Sequence, residues 1–173
     1  MTNHLKLTAE QFDDLRAHLL RNRNEQVAFA FAAVAEANDS RVFEVGDLYL
    51  VPREDFAIQT EYHVELTEDA LSKVIKMAWD RRAAIVDFHS HPRASTPVFF
   101  SPSDLLGFAD LVPHASWRLR GKPYLGLVLA PNSVDALVWP GGYGSPEELA
   151  GITVAGRDPV SPTGISYLRF DPE

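Results

Sequence analysis

Cysteine is absent from the 173 residues. That absence excludes disulfides, thiolate metal sites and cysteine nucleophiles, so any bound metal has to be held by nitrogen and oxygen. Basic side chains are in the minority: 16 Lys and Arg stand against 24 Asp and Glu, a formal charge of -8. A field of that sign repels polyanions and argues against a nucleic-acid partner. Long apolar runs are also missing. No stretch approaches the roughly 20 residues of a membrane span, and the opening MTNHLKLTAEQF lacks the apolar centre of a signal peptide. The expectation is a cytoplasmic protein with no membrane partner. There is no internal repeat and no low-complexity tract.

What is present suffices for one domain with a real core, since 46% of the residues are hydrophobic. Thr8 with Gln11 forms a capping box, and Phe12, Leu15 and Leu19 share a face, predicting a helix from residue 8 to about 22. VAFAFAAVA at 27–35 is apolar at nearly every position and reads as a strand buried on both faces. A turn at 38–40 leads to a second strand over 41–51, completing a hairpin. A short strand is expected within 61–65. Thr67 then caps a helix whose Ala70, Leu71, Val74, Ile75, Ala78 and Trp79 form one stripe. Residues 83–89 read as the next strand, followed by a proline-spaced loop and a short helix from Pro102 to about Leu111. A second hairpin is expected over 124–130 and 133–140. The segments 141–146 and 157–164 are flexible by composition, and 165–170 reads as a last strand. The whole is α/β with a mixed sheet.

The chemistry concentrates in DFHSHP, residues 87–92. At the end of a strand, side chains 89 and 91 leave the same face roughly 6–7 Å apart, so two imidazoles can converge on one ion. Zinc is tetrahedral and takes nitrogen ligands, so a third ligand must come from elsewhere while a fourth position stays open. Asp104, in SPSD at the start of the next helix, is the candidate. Ser101 and Asp104 also read as a capping box, and taken alone that is the simpler account. Two histidines on one face, followed within one loop by a carboxylate, favour a metal. Asp87, one strand step behind His89, reads equally as an acceptor for an imidazole N–H or as a charge that merely ends the strand. The D-x-H-x-H wording also occurs in barrel phosphoesterases and amidohydrolases. The chain after His91 is too short for a barrel of roughly 200 residues or more.

With these residues the chain resembles the JAB/MPN family, also called JAMM metalloproteases. The matching positions are Glu25, then His89-Ser90-His91-Pro92, then Ser101 and Asp104, and the resemblance covers about 8–140. The spacing from His91 to Ser101 is longer than the family pattern, leaving Ser103 as a rival for the serine. Ala28 and Ala32 stand where the family carries glycine, leaving Glu36, Glu44 and Glu61 as rivals to Glu25.

The resemblance implies a single domain over 1–173 with a mixed, mostly antiparallel sheet flanked by helices, 141–173 being a C-terminal extension. It implies one Zn2+ held by His89, His91 and Asp104, Glu25 as general base and Ser101 as donor to the developing oxyanion. The implied activity is a bacterial isopeptidase of the deubiquitinase-like kind, cutting after the C-terminus of a ubiquitin-like protein. Partners would be that protein, its conjugates and the conjugation enzymes of the same pathway. Two alternatives follow from the same machinery: a peptidase trimming the C-terminus of a ubiquitin-like or sulfur-carrier protein, and a non-catalytic MPN scaffold.

Overall fold

The structure, a computed structural model, describes residues 1–170. In chain order its elements are β1 (Thr2–Leu7), α1 (Ala9–Leu19), β2 (Val27–Ala37), β3 (Ser40–Leu50), β4 (Phe56–Gln59), β5 (Val64–Leu66) and α2 (Glu68–Arg81). They continue with β6 (Ala84–Ser90), α3 (Pro102–Arg118), β7 (Tyr124–Leu129), β8 (Val134–Trp139), β9 (Glu147–Val154) and α4 (Ile165–Phe170). Seven strands close a barrel in the order β1-β3-β2-β6-β7-β8-β9, with β4 and β5 forming a separate two-stranded sheet. The sheet is mixed and mostly antiparallel: β1 pairs in parallel with β3 and β9, β6 with β7, and the remaining ladders are antiparallel. No helix is long and apolar enough to cross a membrane among the described residues.

Local chemistry explains most of these elements. Thr8 and Gln11 make the reciprocal capping box at the start of α1. Asn38 and Asp39 both take positive φ, 50° and 59°, the conformation of a two-residue turn matched to the twist of β2 and β3. Along β2, even-numbered alanines 28, 30 and 32 pack in one apolar cluster with Leu15 and Leu19 of α1. The odd-numbered Val27, Phe29 and Phe31 pack in another with α2 and α3. Both faces of the central strands are therefore dry, as their uninterrupted apolar sequence requires.

Besides β4, which has no counterpart in the sequence reading, and β5, which spans Val64–Leu66 where a strand within 61–65 is expected, the structure departs from the sequence reading in three places. The helix opening at Pro102 does not stop at Leu111; α3 runs to Arg118 and passes through Pro113. An interior proline costs about 3 kcal/mol. Phe108, Val112 and Ala115 on the buried stripe offset that, since full burial of one large apolar side chain contributes roughly 1.5–3 kcal/mol. Second, 165–170 forms helix α4 rather than a strand, because the carboxylate of Asp135 accepts the Ser166 N–H at 2.9 Å and the Gly164 N–H at 3.0 Å, nucleating a turn. Third, β1 and β9 were not expected as strands. The alternation of β9 is disguised by a register shift against β1, where Asn3 faces Leu149 but His4 already faces Gly151. Residues 147–154 of the tail thus supply the wall that closes the barrel. Positions 171–173 of that tail lie outside the described residues.

One close approach fixes where α3 sits. A Cβ on Gly126 of β7 would lie 2.7 Å from the Phe108 ring, so only glycine lets the helix lie this near the sheet. The connection from β6 through α3 to the parallel strand β7 delivers the helix N-terminus over the carboxyl end of β6, the place where open α/β crossovers present their ligand sites.

Candidate metal centre

Strand pairing assembles the centre. The β2–β6 ladder sets Val27 opposite His89, and the chain continues in that register through Gln26 N–H to Ser90 Oγ at 2.9 Å and Ser90 N–H to Gln26 O at 3.1 Å. Two residues further, Glu25 falls opposite His91, and Glu25 Oε1 lies 3.7 Å from His91 Nε2. From above, the first turn of α3 brings Asp104, whose Oδ1 is 3.3 Å from His89 Nε2 and whose Oδ2 is 3.3 Å from His91 Nε2. Ligating atoms of His89, His91 and Asp104 all lie within 4.8 Å of one another, so the three can hold one metal ion.

The capping and ligand readings of Asp104 turn out to be compatible. Ser101 is the N-cap of α3: its N–H donates to Asp104 Oδ2 at 2.7 Å, and its Oγ accepts the Asp104 N–H at 3.2 Å. Those bonds orient the carboxylate, as outer partners of a metal ligand do. Ser103, one residue into the helix, lines the adjoining cleft of about 610 Å³.

A specific defect supports occupancy by an ion. His89 Nε2 is buried and has no hydrogen-bond partner; Asp104 is near it but not aligned with it. Leaving such a nitrogen unsatisfied costs on the order of 1–3 kcal/mol, whereas a metal with nitrogen and oxygen ligands satisfies it.

Electrostatics follow from this crowding. Burial works against the charge on Asp104, but His89, His91 and the Ser101 N–H outweigh it and hold the carboxyl far below its usual range. His89 is also penalised by burial, yet the Asp104 carboxylate prevails and raises it. Burial raises Glu25, with the two imidazoles pulling the other way. Asp87 is pushed up to about 6 by burial, against the hydrogen bond it accepts from the Tyr124 hydroxyl at 2.6 Å.

A pH dependence follows. With its pKa raised, metal-free His89 binds a proton as pH falls through that value, and a cation must displace it, while Asp104 stays ionised. Affinity for a divalent metal is therefore expected to fall as the pH is lowered from about 8 to about 6. Competition titrations at the two values measure it, and a flat profile would remove His89 from the ligand set.

Of the rival glutamates, Glu36 is engaged with Arg41 at 2.8 Å and Glu61 with Arg23 at 3.2 Å, while Glu44 is exposed; only Glu25 reaches the histidines. Several contributors carry no signal in the sequence. Gln59 Nε2 donates to Glu25 O at 3.0 Å, and the Glu25 N–H donates to Thr60 O at 2.9 Å, so the β4–β5 sheet holds the glutamate in place. The Phe100 ring packs 5.5 Å from that of His89. Neither contact has a sequence pattern, because both depend on which loops the fold brings over the end of β6.

The sequence model of the family described as prokaryotic homologs of the JAB domain matches residues 8–138. Among curated proteins none matches the chain. In shape the chain is similar to a protein from Desulfitobacterium hafniense known from a solution structure: TM-score 0.51, 18% sequence identity, 88% of this chain and 94% of that one covered. A likeness at that identity speaks to the fold alone.

Proposed function

Since this chain belongs to the prokaryotic homologs of the JAB domain, we propose that it is a zinc-dependent amide hydrolase, an isopeptidase acting at the C-terminus of a ubiquitin-like protein. The observation that carries this reading is the convergence of His89, His91 and Asp104 within 4.8 Å beside a carboxylate, Glu25, that is not needed as a ligand.

The ligand set fits zinc: two imidazoles and one carboxylate, with room for a fourth position. When bound, zinc supplies a Lewis acid that polarises a carbonyl and makes hydroxide available near neutral pH. The chain's own groups do the rest. Glu25, its basicity raised by burial, takes the proton of the attacking water. It then passes that proton to the departing amine nitrogen, so water and amide become acid and amine with no proton left over. The Ser101 oxygen accepts the Asp104 N–H, which leaves its own hydrogen free to donate to the oxygen that gains charge in the tetrahedral state. Ser103 on the cleft wall is the rival donor.

An extended tail suits the cleft. Val64, Glu65 and Leu66 of β5 line it, and β5 has β4 as its one strand partner among the described residues. Its second edge is open to a peptide that adds as a strand, with main-chain hydrogen bonds supplying affinity. Leu106, 71% exposed on the opposite wall, offers apolar contact.

The test is a paired assay on zinc-loaded protein. One substrate is a ubiquitin-like protein joined to lysine; the other is the same protein carrying one extra C-terminal residue. Faster cleavage of the lysine conjugate is expected. Preference for the extended tail would make the protein a trimming peptidase, and a protein that folds without zinc and cuts neither would be a binding scaffold.

A further inference from the structure

A segment outside the matched span packs beside the loop that leads to Ser101. Residues 163–170 lie against the loop between β6 and α3, touching three successive residues just before Ser101. Thr163 Oγ1 donates to Val98 O at 2.8 Å. The Arg169 guanidinium stands 4.0 Å from the centre of the Phe99 ring. Ser166 Oγ accepts the Phe100 N–H at 2.9 Å. Val98 and Phe100 are buried, and Phe100 is the ring against His89.

The segment has its own anchor. Asp135, on β8, is fully buried and takes no part in the chemistry above. Its carboxylate accepts three backbone N–H groups: Ala136 at 3.0 Å, Gly164 at 3.0 Å and Ser166 at 2.9 Å. The Thr163 N–H adds a bond to Val134 O at 2.8 Å. A buried carboxylate is tolerated only when saturated with donors, and here two of the three donors, Gly164 and Ser166, come from the segment 163–170. Charge-assisted bonds of this kind fix a backbone more firmly than ordinary ones.

We propose that residues 163–170 are a strap, fastened on Asp135, that positions the metal ligand Asp104. Asp135 holds Gly164 and Ser166; Ser166 and Thr163 hold Val98 and Phe100; that loop ends at Ser101, whose N-cap bonds orient the Asp104 carboxylate. Asp135, Thr163 and Ser166 are positioning residues. Without them the loop of 92–100 has freedom that metal binding must remove, and the ion binds more weakly. The inference rests on the metal-dependent reading of the site.

The experiment uses the full chain and zinc or cobalt(II) alone as probe. Wild type, Ser166→Ala, Ser166→Thr, the double variant Thr163→Val with Ser166→Ala, and Asp135→Asn are compared by competition titration, cobalt visible absorption and thermal melting. A control is Arg41→Met, which removes the buried guanidinium that bonds Asn3 and Glu36 at the far side of the barrel. Ser166→Ala and the double variant are expected to fold and to lose about ten- to a hundredfold in metal affinity, with an altered cobalt spectrum. Ser166→Thr, which keeps the hydroxyl, retains wild-type affinity, and Arg41→Met lowers the melting temperature without changing affinity. If Asp135→Asn fails to fold, the serine and threonine variants decide alone. Wild-type affinity in the folded double variant overturns the strap while leaving the hydrolase standing; absence of metal binding in wild type overturns both.

Discussion

Replacing Glu25 with glutamine is expected to leave metal content and melting temperature unchanged and to reduce hydrolysis by about 10²- to 10⁴-fold, the usual contribution of a positioned general base. The substitution keeps shape and hydrogen-bonding length but removes the site that accepts a proton. Glu25 is 5% exposed, so a smaller residue would leave a void at the joint between β2 and β6, which glutamine avoids. Metal retention is expected because His89, His91 and Asp104 form the ligand group without Glu25. Elemental analysis and single-turnover assays on the variant separate the two effects. A glutamine variant with full activity would end the assignment of Glu25; one that also loses its metal would make it a fourth ligand.

The second large effect concerns His89. In His89→Ala the group drops to one imidazole and one carboxylate, one short of the three protein ligands of an open zinc site, and both metal content and activity are expected to vanish. Stability reports the same event. A ligand that binds only the folded state at a thousand times its Kd stabilises by about 4 kcal/mol. For a domain of this length that amounts to roughly 10 °C in Tm. Added zinc should therefore raise the melting temperature of the wild type by about that much and leave His89→Ala where it was. An equal rise in both would place the ion elsewhere. Without metal the variant is itself expected to be less stable, since Asp104 loses the partner 3.3 Å away that stabilises its buried charge.

How much of this was legible beforehand depended on the range of the interactions involved. The helix caps at Thr8, Thr67 and Ser101 are contacts within three residues, and local spacing displays them. The strand over 27–35 shows its burial on both faces through an uninterrupted apolar run. The far end of α3 was hidden because a proline's local cost is visible in the sequence and the burial of Val112 and Ala115 that offsets it is not. Helix α4 was hidden for the same reason. Ile165, Tyr167 and Phe170 favour a strand by propensity, and the group that turns them into a helix, Asp135, is about thirty residues away.

The candidate site divides along the same line. His89 and His91 are two apart at the end of β6, His91 one residue past it, so their shared face follows from the two-residue repeat of extended backbone, and Asp104 is within reach of a single loop. Those three residues, the absence of thiol ligands and the acidic surface belong to the sequence by itself. The choice of Glu25 from among the chain's glutamates, the orphaned nitrogen of His89, the β4–β5 wall and the strap from 163–170 were decided only by the tertiary structure. Pairing register and loop docking are set by contacts between residues far apart in the chain, and such contacts leave no periodic trace in the order of amino acids.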